Sequence, residues 1–210
     1  MSEKPDVEIP QKRQVLRDTN PKTILKKAAK VLKCNTNDFL QSSRICDSNK
    51  PGDYTMTSAH LMFIADAMLG RLAKWLRLIG CDVVYESSIS DNGLIAKALK
   101  EHRIILTMDR KLMERASARN SLCIESPYYK EQLKQVITHY NIDYKASIFT
   151  RCLVCNKLLD PIDKEKIKDR IPPYVYSTQN EFDICSQCHR VYWSGTHRIK
   201  MLETLGEILK

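Results

Sequence analysis

Residues 61–80 read LMFIADAMLGRLAKWLRLIG, and this stretch decides the fold. Leu61-Met62-Phe63-Ile64-Ala65 is continuously apolar, as expected of a strand covered on both faces, and the run stops at Asp66. Leu69, Leu72, Ala73, Leu76 and Ile79 then recur at helical spacing, and Gly80 ends the stripe. The same unit repeats downstream. Asp82-Val83-Val84-Tyr85 predicts a second strand, and Ser90-Asp91 caps a helix through Leu94, Ile95, Ala98 and Leu99. Arg103-Ile104-Ile105-Leu106-Thr107 predicts a third strand, residues 110–117 a short helix, Leu122-Cys123-Ile124 a fourth strand and residues 129–140 a further helix. Repeated strand–helix units predict an α/β fold, with a parallel sheet flanked by helices.

Ligands of such sheets bind at the carboxyl ends of the strands. Asp66 falls at that end of the first strand, Asp109 just past the third, and Asp91 at the helix start after the second. Carboxylates gathered this way repel one another unless a hard cation such as Mg²⁺ or Mn²⁺ takes their oxygens. A metal so held activates water and stabilises charge on a phosphodiester. Arg71, one turn on from Asp66, and Arg110, next to Asp109, are the candidates to meet a phosphate. The plainer reading makes Asp91 a helix N-cap and Asp109-Arg110 a turn opening a helix. Asp66 is the hardest to explain by packing alone. Asp82 begins its strand and belongs to the opposite edge, while Glu125 is an additional candidate ligand. No Gly-x-Gly-x-x-Gly or P-loop pattern occurs, so nothing supports a dinucleotide or nucleoside triphosphate site.

Four of the eight cysteines form two Cys-x-x-Cys pairs, Cys152/Cys155 and Cys185/Cys188, with 29 residues between them. Two such turns complete a tetrahedral Zn²⁺ shell of structural type. His189 adjoins the second pair, and Pro172-Pro173-Tyr174-Val175-Tyr176 reads as part of a hairpin between the pairs. Cys34, Cys46, Cys81 and Cys123 stand alone and are expected to be reduced thiols.

The chain has 210 residues and a formal net charge of +9, which points to an anionic partner, with nucleic acid the first expectation. Residues 1–58 carry 11 basic and 7 acidic side chains, and the excess continues mildly through the rest. Residues 1–20 read as a polar tail. Ile24, Leu25, Ala28, Ala29, Val31 and Leu32 then form a lysine-flanked helical stripe, Asn37–Leu40 a second short helix, and residues 42–58 a linker. The expected divisions are 1–58, a small helical segment suited to a protein or nucleic-acid partner; 59–150, the sheet domain; and 151–210, the four-cysteine unit. No apolar run approaches the roughly 20 residues that cross a bilayer, and the charged start lacks a signal peptide's apolar stretch. A cytoplasmic protein with no membrane association is expected.

Phe63–Gly80 resembles the opening motif of the RNase domain found at the C-terminus of Mut-seven exonucleases (Mut7-C). Ile104-Ile105-Leu106-Thr107-Met108-Asp109-Arg110 resembles its second motif. Arg151–Asn156 and Cys185–His197 resemble its zinc ribbon. The resemblance spans about residues 61–203 and implies a PIN-like nuclease fold fused to a zinc ribbon. It implies metal-dependent RNA cleavage, with acids at the positions of Asp66, Asp91 and Asp109. Two departures stand out. Asn92 and Gly93 follow Asp91 where the family often has further acids, and Met108 replaces an arginine before Asp109. The expected function is a metal-dependent endoribonuclease, with structural Zn on Cys152, Cys155, Cys185 and Cys188 and catalytic Mg or Mn on Asp66, Asp91 and Asp109. The alternative is a non-catalytic nucleic-acid-binding protein with a degenerate site. Tyr192 and Trp193 are candidates to stack on RNA bases, or else to pack against the zinc ribbon.

Overall fold

The computed structural model describes residues 61–145 and 147–210. The expected tail, helices and linker of residues 1–58 lie outside them. β1 (Met62–Ala65), β2 (Asp82–Tyr85), β3 (Ile104–Thr107) and β4 (Ser121–Cys123) form one parallel sheet in the order β2-β1-β3-β4. α1 (Gly70–Leu78) joins β1 to β2, α2 (Asp91–Glu101) joins β2 to β3, and the short α3 (Arg110–Met113) leads to β4. α4 (Tyr129–His139) follows β4. The α/β expectation holds, with small shifts. The helix expected over 110–117 stops at Met113 and resumes as a 3₁₀ turn at Ala116–Ala118, and the fourth strand lies one residue earlier than expected.

Alternation along the central strands splits the core. Phe63 and Ala65 of β1 and Leu106 of β3 face one cluster, with Leu72 and Leu76 of α1 and Leu133 and Val136 of α4. Ile64 and Ile105 face the other, with Leu94, Ile95 and Ala98 of α2 and Leu112 of α3. Each leucine fully buried on the α1 stripe contributes about 2 kcal/mol of hydrophobic stabilisation. Gly80 (φ 94°) ends that helix in the left-handed region. Its N–H donates to Arg77 O at 3.0 Å, and that of Cys81 to Leu76 O at 2.9 Å, satisfying carbonyls of the last turn.

The C-terminal part holds an antiparallel sheet of β5 (Leu159–Pro161), β6 (Phe182–Cys185) and β7 (Val191–Trp193), in the order β5-β6-β7. The segment Pro172–Tyr176 corrects the hairpin reading, because α5 (Pro173–Thr178) occupies it. Proline fixes its φ near the helical value and has no N–H to lose in a first turn, so Pro173 starts a helix well. The hairpin of this region is instead β6–β7. α6 (Thr196–Ile208) closes the chain, and its Met201, Leu202, Leu205 and Ile208 enter the same cluster as Phe63 and Leu72. The four-cysteine unit is thereby interlocked with the parallel sheet. Among the described residues no helix is long and apolar enough to cross a membrane.

Candidate active site and cysteine centre

The strand order makes β1 and β3 neighbours although β2 comes between them in sequence. The chain thus reverses its direction of winding between β1 and β3, and α1 and α2 cover opposite faces. The crevice at the carboxyl ends of two such strands is where α/β sheets take their ligands. Asp66 leaves β1 there, its N–H still donating to Leu106 O at 3.0 Å. Its Oδ1 accepts from Ala67 N–H at 2.6 Å, and its Oδ2 accepts from the Thr107 hydroxyl at 2.7 Å. Thr107 Oγ1 in turn accepts from Asp109 N–H at 3.0 Å. Thr107 is fully buried, so one hydroxyl joins the Asp66 carboxylate to the Asp109 backbone. Asp109 caps α3, its Oδ1 accepting from Lys111 N–H at 2.8 Å and Leu112 N–H at 3.3 Å. The Tyr85 hydroxyl donates to Ala67 O at 2.9 Å and props the turn after Asp66.

Asp91 is held differently. Ser90 caps α2, its Oγ accepting from Gly93 N–H, and Asp91 sits exposed in the first turn. Its Oδ2 accepts from Arg115 Nη2 at 3.3 Å, and Asn92 Oδ1 accepts from Arg115 Nη1 at 3.0 Å. The structure therefore links Asp66 to Asp109 and gives Asp91 an arginine partner. Among the described residues, the four cysteines are the one group of three or more candidate ligands drawn within 4.8 Å of one another. The carbonyl of Arg110 accepts from Glu114 N–H at 3.2 Å, while its exposed side chain makes no hydrogen bond or ion pair among the described residues. Arg71 is exposed but rests over the Tyr129 ring, 4.7 Å from its centroid. The side chain of Glu125 is exposed.

The cysteine quartet is built from two turns with one hydrogen-bond plan. Asn156 N–H donates to Cys152 O at 3.0 Å and Cys152 N–H to Lys157 O at 2.8 Å. His189 N–H donates to Cys185 O at 2.8 Å and Cys185 N–H to Arg190 O at 3.0 Å. Asn156 (φ 67°) and His189 (φ 57°) take the left-handed position of each turn. His189 thus shapes the turn and is not one of the four ligands. Cys152 Sγ and Cys188 Sγ lie 3.6 Å apart, close to the edge of a tetrahedron of Zn–S bonds of about 2.3 Å. The donor set and spacing fit a zinc ion. Burial opposes ionisation of Cys152, but the Tyr192 hydroxyl and the N–H groups of Cys155 and Val154 outweigh it and bring the thiol down to about 7. Tyr192 OH lies 3.1 Å from Cys152 Sγ, and Trp193 packs on the cluster of Ile167, Ile171 and Phe182. Both half-buried aromatics therefore contact the cysteine unit, Tyr192 through its hydroxyl and Trp193 through its ring.

Several residues that tie the quartet to the sheet escaped sequence reasoning. Arg77, 6% exposed, donates from Nε to Val83 O at 2.9 Å and from Nη1 to Leu153 O at 3.2 Å and Val154 O at 2.9 Å. Asn156 Oδ1 accepts from Val83 N–H at 2.9 Å, and its Nδ2 donates to Asp82 Oδ1 at 2.8 Å. Asp82 also pairs with Arg103, and with Arg151 at 3.3 Å. Burial works against the Asp82 carboxylate, but hydrogen bonds from Arg103 and Asn156 and the charges of Arg103 and Arg151 outweigh it, so its pKa is lowered. The available signal was an arginine beside an apolar helical stripe and an asparagine directly after a Cys-x-x-Cys turn.

A parallel sheet with two acids at its crevice, joined to a four-cysteine unit, defines an α/β protein with a fused cysteine centre. The family model for the Mut7-C RNAse domain matches residues 61–205, and the chain belongs to that family. No curated protein matches the chain. At the family level the role is that of a nuclease.

Proposed function

We propose that the chain is a ribonuclease whose metal site lies on Asp66, Asp109 and Asp91. The observation that supports it best is the Asp66–Thr107–Asp109 chain of hydrogen bonds at the crevice between β1 and β3. The donors are hard oxygens, which suit Mg²⁺ or Mn²⁺. Each carboxylate oxygen has two lone pairs, so Asp66 and Asp109 keep acceptor capacity beyond the bonds they make. Asp91 would join by giving up Arg115, a pair of exposed side chains that costs little to open. A bound divalent ion supplies Lewis-acid stabilisation of the phosphodiester and a lowered pKa for water. The residues of the chain orient it. Thr107 fixes the Asp66 carboxylate and the backbone at Asp109, whose own carboxylate is held by the first turn of α3, and the Arg110 side chain stands beside Asp109 to neutralise a phosphate. Zinc on the cysteine quartet is structural, because four thiolates leave no open position.

The test is cleavage of single-stranded RNA with Mn²⁺ or Mg²⁺. Wild type cleaves, and Asp66→Asn with Asp109→Asn lowers the rate by about 100-fold or more. Equal cleavage by the double variant would overturn the assignment. RNA binding without cleavage in both proteins would favour a nucleic-acid-binding role.

A further inference from the structure

The carboxyl edge of the sheet carries a second feature that the proposed chemistry leaves unused. The rings of Trp75 on α1 and Tyr129 on α4 are stacked, 5.7 Å apart at 21°, and the Arg71 guanidinium lies over the same Tyr129 ring. Beside this stack is an open cleft of about 510 Å³ bounded by Arg71, Pro127, Tyr128, Tyr129, Lys130 and Glu131. Arg71 follows Asp66 by five residues, and residues 127–131 follow the carboxyl end of β4, so the cleft shares an edge with the Asp66–Asp109 pair. Tyr128 is 69% exposed, an uncommon setting for a ring with no packing task.

We propose that this cleft seats one unstacked base of a single-stranded RNA, with Tyr128 and Arg71 as its stacking surfaces. This deepens the ribonuclease reading by naming the strand form that the site accepts. Aromatic rings and arginine planes beside basic groups are the usual means of holding unpaired bases, whereas a duplex keeps its bases stacked on each other. Arg71 is held on Tyr129, so less side-chain freedom is lost when a base meets it. The cleft fits a base better than a free phosphate. The Glu131 carboxylate on its wall repels an anion but accepts from an exocyclic amino group. Ser126 Oγ donates to that carboxylate and steadies it, and Lys130 is engaged with Glu207 at 3.3 Å.

The experiment measures binding apart from cleavage, using the full chain in Ca²⁺ and, as a second non-cleaving background, the Asp66→Asn variant. The probes are a fluorescent oligoadenylate and an abasic strand of equal length. Tyr128→Ala weakens oligoadenylate binding by about 5- to 100-fold and leaves the abasic strand unchanged. Tyr128→Trp keeps the affinity. In the cleaving protein, Tyr128→Ala raises KM more than it lowers kcat. Equal loss on both strands, or no loss on either, would overturn the base seat. If the Tyr128 effect stands while Asp66→Asn with Asp109→Asn cleaves normally, the seat survives and the assigned catalytic site fails.

Discussion

Thr107 is the residue on which the crevice turns. It is the last residue of β3, fully buried, and its hydroxyl donates to Asp66 while accepting from Asp109 N–H. Thr107→Val keeps the shape and removes both bonds. It should cost about 1 kcal/mol of stability, because two hydrogen bonds at the crevice, one from a buried hydroxyl, are lost. On the proposed ribonuclease reading it should also lower RNA cleavage, and paired denaturation and rate measurements will show both effects. Asp82 governs a different property. Its folded pKa is lowered, so its contribution is present above the unfolded carboxylate value near 4 and is lost as pH falls through the folded value. Asp82→Asn leaves Arg103 and Arg151 without their shared carboxylate and should cost about 2–4 kcal/mol at neutral pH. A urea titration between about pH 2 and 7 should show a flatter acid limb in that variant than in wild type.

α1 shows what an element owes to its end residues. Gly80 is at φ 94°, and a Cβ there would come 2.4 Å from Ser147 O. Gly80→Ala meets both a forbidden backbone region and a backbone atom that cannot swing aside, so it should cost about 3 kcal/mol or more, read from the denaturation midpoint. The strands and helices of the parallel sheet were legible because continuous apolar runs and the 3.6-residue stripe each had one sensible reading. Pro172–Tyr176 was not, because proline and β-branched or aromatic residues suit a turn, a strand or a first helical turn alike. Asp66 and Asp109 were placed at one crevice by the strand logic alone. The Arg115 partner of Asp91 could not be seen, since it depends on how the segment after α3 returns toward α2. The Tyr129 partner of Arg71 was hidden in the same way, because it needs α1 and α4 side by side.

In the whole molecule, α6 crosses from the cysteine unit into the core under the parallel sheet, and the two sheets therefore share stability. Zinc should be found at about one ion per chain by elemental analysis. Removing it with a chelator should lower the melting temperature of the entire fold in one transition, with far- and near-ultraviolet circular dichroism coinciding. Two separate transitions would show that the units unfold independently. Arg77 adds a consequence for dissection of the protein. It rises from a helix of the first sheet, yet two of its three acceptors belong to the loop between Cys152 and Cys155. A chain cut after residue 150 would leave that guanidinium with one of its three acceptors and would also strip Val83 N–H of its amide partner. Grafting the cysteine unit onto another scaffold, or exchanging it between relatives, would succeed only if the helix carrying Arg77 travelled with it.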